Sequence, residues 1–110
     1  MSQPSAALDR TLAALADPDR RRTIELLRHG PQRAGELATA IGLPAPAMSR
    51  HLRVLRQSGL VEESHPEFDA RVRIYALRAG PMTELRNWLD ETEAMWVEQL
   101  ASFKKHIEGR

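Results

Sequence analysis

The sequence predicts a mainly α-helical fold with a helix-turn-helix and a small β-hairpin. Residues 34–58 hold two helical patterns broken by a glycine, residues 60–77 hold two strand-like runs, and residues 82–107 repeat apolar side chains at helical spacing. With two helices before residue 30, the expected order is four helices, two strands and a long fifth helix. A chain of 110 residues without an internal repeat suits a single domain, residues 1–110.

The helix-turn-helix at residues 34–58 is the best-defined part of this pattern. Its first helix has one apolar face, which consists of Leu37, Ala38 and Ile41. Gly42 then stands where a chain leaving a helix often needs a positive φ. Its second helix has a single apolar stripe at i, i+4 and i+7, which consists of Met48, Leu52 and Leu55. Both helices therefore turn one side to a shared core.

The opposite arc of the second helix is polar and basic. It carries Ser49, Arg50, Arg53, Arg56 and Gln57. No acidic residue occurs between Glu36 and Glu62, so the charge on this arc has one sign. A helix with one face on a core and the other rich in cationic donors suits the major groove of duplex DNA, which attracts it by counterion release. The alternative is an ordinary solvated basic face.

Two helices precede the helix-turn-helix. The first, expected over residues 5–16, has apolar positions at spacings of four and three: Leu8, Leu12 and Leu15. Asp17 can cap the second helix, Pro18 fits its first turn, and Gly30-Pro31 stops it. Its first turns contain Arg20, Arg21 and Arg22. We expect these arginines to form a solvated helix start, with proximity to DNA phosphates as the alternative.

Two strands, residues 60–64 and 71–77, are predicted to form a hairpin whose loop is residues 65–70. Because an isolated hairpin is unstable in water, it must pack against the helices, and in that position it forms a wing. Arg71 and Arg73 share one strand face at period 2 near its tip. We expect them to contact the sugar-phosphate backbone or the minor groove. The alternative is that they keep the hairpin soluble and blunt its edge.

The last helix is expected over residues 82–107. Its apolar positions are Leu85, Leu89, Trp96, Leu100, Phe103 and Ile107, with Trp88 beside them. A stripe of this length exceeds what one small body can cover, and exposed apolar stripes usually mark an interface. We therefore expect a homodimer built from the first and last helices. Its predicted contact residues are Leu8, Leu12, Leu85, Leu89, Trp96, Leu100 and Phe103.

The net charge of +1 is unevenly distributed. Residues 1–80 hold 12 Arg against 9 acidic residues, whereas residues 81–110 hold 4 basic against 6 acidic residues. The helix-turn-helix and the wing therefore lie in the basic part of the chain. Arg outnumbers Lys 14 to 2, which suits bidentate contacts with phosphate and guanine. A genome rich in GC would produce the same bias.

The sequence lacks the residues that several classes of function require. The chain has no cysteine, which excludes disulfides and thiol redox sensing. It has no phosphate-binding glycine loop and no nucleophile with a matching base at recognisable spacing, so we expect neither an enzyme nor a cofactor. No apolar run reaches membrane-spanning length, and the first residues do not begin a signal peptide. We therefore expect no membrane contact and a cytoplasmic location.

Three stretches carry a family pattern: Leu-Ala-Asp-Pro-Asp-Arg-Arg-Arg at 15–22, Glu-Leu-Ala at 36–38, and Ser-Arg-His-Leu-Arg-Val-Leu-Arg at 49–56 with Ser-Gly-Leu-Val at 58–61. Together they resemble the ArsR family of winged helix-turn-helix repressors, over about residues 8–107. The Ser-Arg-His-Leu run and its Gly-Leu-Val ending are the most specific part. The resemblance implies a dimeric bacterial repressor that leaves its operator when an inducer changes its shape.

The resemblance also places Ser49 and His51 at DNA-facing positions, with hydrogen bonds that brace the turn as the alternative. Residues 44–47 lack the polar side chains common in the family, so Ala45 and Ala47 can offer only methyl contacts, and DNA shape can supply part of the specificity. The expected DNA contacts are Ala45, Ala47, Ser49, Arg50, His51, Arg53, Arg56, Arg71 and Arg73. With two-fold symmetry, they imply an inverted-repeat operator.

Metal sensing is common in that family, but this sequence lacks the residues that would bind the metal. The family's thiolate pair would fall near Ala38 and Ala40, which cannot ligate, and residues 82–105 contain no histidine. A cluster of His65, Glu67 and Asp69 in the wing loop is the remaining candidate, and we expect no metal there. Two modes of control stay open. One is an unidentified small-molecule effector in the dimer interface beside Trp88, Met95 and Trp96, and the other is expression level alone.

A different class of function is also compatible with these patterns. A winged-helix module can bind a protein instead of DNA, with the helix that carries Trp88 and Trp96 as its docking surface. Salt distinguishes the two hypotheses, because DNA affinity falls steeply with ionic strength whereas an apolar contact does not.

Overall fold

The computed structural model describes residues 6–109, which form five helices and three short strands. The elements in chain order are α1 (Ala6–Leu15), α2 (Pro18–Leu27), β1 (Gln32–Arg33), α3 (Ala34–Ile41), α4 (Ala45–Gln57), β2 (Val61–Ser64), β3 (Ile74–Leu77) and α5 (Gly80–Glu108). The expected order of helices and strands is confirmed, with one additional strand. Residue 5 of the predicted first helix lies outside the described residues, and that helix ends at Leu15. The last helix extends beyond its predicted bounds at both ends.

Local chemistry fixes the junctions between the helices. The Asp17 carboxylate accepts hydrogen bonds from the backbone N–H groups of Asp19 and Arg20, and Pro18 is the first residue of α2. Gly42 ends α3 with a φ of +83°, as its position in the sequence predicted. Pro44 then precedes α4 without a side-chain cap.

The core lies where α2, α3 and α4 meet the sheet. The predicted stripes of α3 and α4 are buried in it, and the remaining members are Ala14, Leu27, Leu60, Val61 and Tyr75. The wing packs on this helical body through β2 against α4 and β3 against α2. The orientation of α4 is therefore fixed by its buried side, and the opposite side faces solvent.

The sheet has three strands, where the sequence predicted two. β3 lies in the middle, and both neighbours pair with it in antiparallel register, β1 through Gln32 with Tyr75 and β2 through Glu63 with Tyr75. The predicted strand at 71–77 begins only at Ile74, so Arg71 and Arg73 do not share a strand face. A turn at Asp69 causes this difference, because Asp69 accepts a hydrogen bond from the Val72 N–H through its backbone carbonyl.

α5 leaves the body soon after it starts. Leu85 is buried, and it packs in the region where α1 meets α5, where Leu8 is buried as well. Beyond Leu85, the large apolar side chains of α5 are exposed. The molecule is accordingly elongated, 72 × 29 × 22 Å, with a radius of gyration of 19.0 Å, whereas a compact domain of about 100 residues has a radius near 13 Å.

Within residues 6–109, no helix combines the length and the apolarity that crossing a membrane requires.

Candidate nucleic-acid interface

The solvent-facing side of α4 carries two free arginines. Because Met48, Leu52 and Leu55 are buried on the inner side, Arg50 and Arg53 point outward and are exposed. Across residues 6–109, neither guanidinium finds a hydrogen-bond or carboxylate partner. Two strong cationic donors therefore stand unpaired on one helix face. At the N-terminal end of the same helix, Ala45 is exposed and Ala47 is half-buried.

Arg56, one turn further along α4, is paired. Its Nη1 lies 3.1 Å from Oε1 of Glu63, which β2 brings alongside the end of the helix. The expectation of a carboxylate-free arc is therefore wrong at this position. The sequence could not show it, because Glu63 lies just past the acid-free stretch and reaches α4 only through the fold. Arg56 is half-exposed, so its pairing is weak and another anion can replace Glu63.

A chain of hydrogen bonds joins the wing to α4, and we call it the wing-root network: Ser49, Glu63, Arg73 and Tyr75. Arg73 donates from Nη2 to the Ser49 hydroxyl at 3.0 Å and from Nη1 to the Tyr75 hydroxyl at 3.3 Å. The Tyr75 hydroxyl donates in turn to Oε2 of Glu63. Arg73 is half-buried. The prediction that it is a free contact for the DNA backbone therefore does not fit its position.

Glu63 and Tyr75 in this network have shifted protonation equilibria. The hydrogen bond from Tyr75 holds the pKa of Glu63 below its usual value, against partial desolvation, and the charges of Arg56, His65 and Arg73 act in the same direction. Burial, followed by the hydrogen bond to Glu63, raises the pKa of Tyr75 to about 12. At neutral pH the network therefore holds a carboxylate, a neutral phenol and a guanidinium.

At the wing tip, Arg71 is the accessible cation. Its side chain is 92% exposed, and Nε lies 3.2 Å from Oδ1 of Asp69. Hydrogen bonds from the Arg71 side chain and backbone hold the pKa of Asp69 below its usual value, so the pair is charged. An exposed pair of this kind contributes little to stability, and Arg71 can exchange its partner for a phosphate. His65 does not join Glu67 and Asp69, because its ring contacts the Val72 carbonyl and Glu63.

His51 is tied to the start of α2. Its Nδ1 lies 3.1 Å from Nη1 of Arg20, and because a guanidinium only donates, Nδ1 accepts and the neutral ring carries its proton on Nε2. Arg20 also donates from Nε to the Ala14 carbonyl and from Nη2 to the Ala13 carbonyl, at the end of α1. The alternative to a DNA contact was that His51 forms hydrogen bonds with neighbouring backbone. The structure shows instead a hydrogen bond to the side chain of Arg20, which belongs to another helix.

The arginines that start α2 are not all solvated. The Arg20 side chain is only 18% exposed, and Arg21 donates to the Leu15 carbonyl at 2.7 Å. Both arginines donate to carbonyl groups in the last turn of α1, where intrahelical N–H partners run out. The expectation of a solvated helix start is therefore wrong for Arg20. No spacing in the sequence signals these contacts, because they form between separate elements.

Asp17, Asp19 and His51 form a group that could be mistaken for a metal site. One ligand atom from each lies within 4.8 Å of the others. Arg20 lies between them, however, with Nη1 at 3.1 Å from His51 Nδ1 and 4.0 Å from Asp17 Oδ2. The guanidinium already supplies the positive charge that a cation would bring. Burial opposes ionisation of Asp17, but the N–H donors of Arg20 and Asp19 outweigh it and lower the pKa.

The nine predicted DNA contacts thus fall into three groups. Arg50, Arg53 and Arg71 are exposed, and only Arg71 has a partner in the described part of the chain. Ser49, His51, Arg56 and Arg73 are held by hydrogen bonds or ion pairs to other elements. Ala45 and Ala47 offer methyl groups alone. The sequence did not predict three residues that hold these side chains in place: Arg20, Glu63 and Tyr75.

Comparison with known proteins places the chain in a family. The family described as bacterial regulatory protein, arsR family, matches residues 17–63. The HTH-type transcriptional regulator Rv2034 of Mycobacterium tuberculosis is 36% identical over 101 residues, 92% of this chain and 89% of the relative. The transcriptional repressor SdpR of Bacillus subtilis is 26% identical over 82 residues, 74% of this chain and 88% of the relative.

A solved structure shares both the fold and part of the sequence. It is an ArsR-like transcriptional regulator from Rhodococcus sp. RHA1, with a TM-score of 0.82 and 28% identity over 96% of this chain and 94% of that one. The match extends past the helix-turn-helix to nearly the whole molecule, including the wing. The chain belongs to the ArsR family of bacterial winged helix-turn-helix transcriptional regulators.

Proposed function

We propose that the protein is a homodimeric repressor that presents α4 of each subunit to the major groove of an inverted-repeat operator. The single observation that carries this proposal is the exposed, unpaired pair Arg50 and Arg53 on a helix whose other side is fixed in the core. Arginine forks suit the O6 and N7 acceptors of guanine. Two-fold symmetry would set the half-sites about 34–36 Å apart.

The dimer is supported by the apolar stripe of α5. At 100° per residue, Leu85, Leu89, Trp96, Leu100, Phe103 and Ile107 fall within a narrow arc of one helix face. Only the first of these is covered within one chain. Another copy of α5 would continue the packing that Leu85 begins, and Leu12, exposed on α1, borders the same region. Two of the predicted interface residues, Leu8 and Leu85, are buried inside the protomer and leave little surface for a partner.

Three observations concern the direction and the control of regulation. SdpR is named a transcriptional repressor, which favours repression here. Control by thiolate-bound metal is disfavoured, because alanine occupies positions 38 and 40. A shallow, open groove on the surface of α5, lined by Trp88, Trp96 and their neighbours on the same helix, is where an apolar effector would bind. The same groove is the surface that a second α5 would cover, so an effector there would compete with the dimer contact. Such a regulator would act in the cytoplasm, where the DNA lies.

Substitution of Arg50 and Arg53 tests the proposal. Operator DNA would first be selected from a random duplex pool by the wild-type protein. Arg50→Ala and Arg53→Ala should each weaken binding by about 1–3 kcal/mol and relax base preference at one operator position. Arg86→Ala is the matched control, since Arg86 is exposed on α5 and pairs only loosely with Asp90.

The competing function, a winged-helix module that binds protein, gives a different result. In that case no duplex would be enriched from the pool, or both variants would bind selected DNA as well as the control does. Either result would remove α4 as the reading helix. Loss of affinity in the Arg86→Ala control would instead point to a non-specific effect of charge.

A further inference from the structure

We propose that Arg73 is a positioning residue for DNA recognition: it holds the Ser49 hydroxyl so that Ser49 donates its proton to an acceptor on DNA. This inference rests on the proposed function, and it replaces the expectation that Arg73 itself contacts phosphate. It also makes the wing a support for the reading helix in addition to any contact at its tip.

The first step is the direction of the hydrogen bonds at Ser49. A guanidinium has no acceptor, so the 3.0 Å contact from Arg73 Nη2 uses a lone pair of Ser49 Oγ. The Ser49 proton is therefore left to be donated elsewhere. No acceptor within residues 6–109 takes it. Ser49 lies beside Arg50 on the solvent-facing side of α4 and is only half-buried, so DNA approaching that face can supply the acceptor.

The direction of the hydrogen bond from Arg73 to Ser49 indicates which kind of group on DNA can pair with Ser49. Phosphate oxygens and the N7 and O6 atoms of purines accept hydrogen bonds, whereas the amino groups of adenine and cytosine only donate. Arg73 occupies one of the two lone pairs of Ser49 Oγ, so the hydroxyl keeps its proton and a single lone pair for DNA, and a hydrogen-bond acceptor is its favoured partner. A free serine hydroxyl would rotate and tolerate both.

The second step is what fixes Arg73. Its Nη1 donates to the hydroxyl of Tyr75, a side chain that is 2% exposed and lies in the central strand. Tyr75 is in turn held by its hydrogen bond to Glu63 on β2. Arg73 is therefore fixed by a residue anchored in the core, and its charge faces a nearby carboxylate. Arg71 at the wing tip differs on both counts, since it is 92% exposed and pairs only with Asp69 within its own turn.

This difference makes Arg71 the matched control for Arg73, because a phosphate contact and a positioning contact respond differently to salt. Each lost phosphate contact makes the slope of log affinity against log salt shallower by about 0.9, counted once per subunit. A positioning residue changes the affinity and leaves that slope as it was. The experiment measures binding of the selected operator at several salt concentrations for Arg73→Ala, Arg71→Ala and the wild type.

We expect Arg73→Ala to lower affinity about five- to ten-fold per half-site with an unchanged salt slope, since the loss of one ordinary hydrogen bond has roughly this effect. Arg71→Ala should give a shallower slope. Ser49→Ala should have the same effect as Arg73→Ala, and the double variant should be no worse than either, since both act through one hydroxyl. A shallower slope in Arg73→Ala, or additive losses in the double variant, would overturn the proposal.

Lysine substitutions keep the test decisive if removal of Arg73 disturbs folding. Lysine retains the charge and can reach a phosphate, but it lacks the fork that joins Ser49 to Tyr75. Arg73→Lys should therefore lose affinity while Arg71→Lys keeps it, with melting curves confirming that both are folded. Equal, near wild-type binding by the two lysine variants would contradict a positioning role. If the wild type itself bound no duplex DNA, the proposed function would fail first, so the two failures can be told apart.

Discussion

Replacement of Trp96 by alanine tests whether the exposed stripe of α5 is a dimer interface. Trp96 lies at the middle of that stripe and its relative exposure is 65% in the single chain. A tryptophan can bury about 200 Å², so Trp96 retains on the order of 130 Å² for a partner. At about 25 cal/mol per Å², that surface is worth roughly 3 kcal/mol per subunit as an upper value.

The measured effect should be smaller than this area suggests, because association also costs freedom of motion and side-chain order. Truncation of an aromatic side chain at the centre of an interface typically costs about 2 kcal/mol of binding free energy. A symmetric interface carries the substitution twice. We therefore expect Trp96→Ala to raise the dimer dissociation constant about 1,000-fold, which corresponds to roughly 4 kcal/mol.

Sedimentation equilibrium measures this change directly, since one chain has a mass of 12.4 kDa. Glu98→Ala is the control, because Glu98 is exposed on the same helix about 200° around from Trp96. The wild type and the control should sediment as dimers over a concentration range in which Trp96→Ala is a monomer. A wild-type monomer, or a Trp96→Ala dimer of unchanged affinity, would refute the assignment of α5 as the interface.

Two further predictions concern the stability of the supporting structure. Tyr75 is the only tyrosine, and its pKa is raised to about 12. Its contribution to stability should therefore persist below pH 10 and be lost as the pH rises toward 12; a tyrosinate absorbance titration with a midpoint at 10.0 in the folded protein would contradict this. Asp17→Ala removes the cap of α2 and should cost about 1 kcal/mol, which lowers the melting temperature by roughly 4–8 °C in a domain of this size. An unchanged melting curve would show that the cap is dispensable.

The parts of the fold that the sequence predicted correctly depend on near neighbours in the chain. The apolar stripe of α4 and the glycine after α3 report local geometry directly, because helical period and positive φ are properties of a few adjacent residues. Asp17 belongs to the same class, since a cap bonds to N–H groups two and three residues away. These features were enough to place Arg50 and Arg53 on the outer face.

The parts that the sequence missed depend on contacts between distant positions. β1 is only two residues long and has no periodicity to detect, since β3 alone makes it a strand. Arg56 and Glu63 face each other only after β2 folds back along α4. Arg73 with Ser49, and Arg20 with His51, join residues 24 and 31 positions apart. A list of arginines therefore overestimates the number that are free to meet DNA.

The salt dependence of duplex DNA binding by the wild-type dimer is the most direct test of the account. With Arg50, Arg53 and Arg71 accessible on each subunit, we expect log affinity to fall linearly with log salt, with a slope of about −2 from the phosphate contacts of the two Arg71 side chains and a steeper slope, up to about −5, if the four arginines of α4 also neutralise phosphates. A flat dependence, with a partner protein bound equally well at low and high salt, would show that the exposed arginines of α4 do not meet nucleic acid.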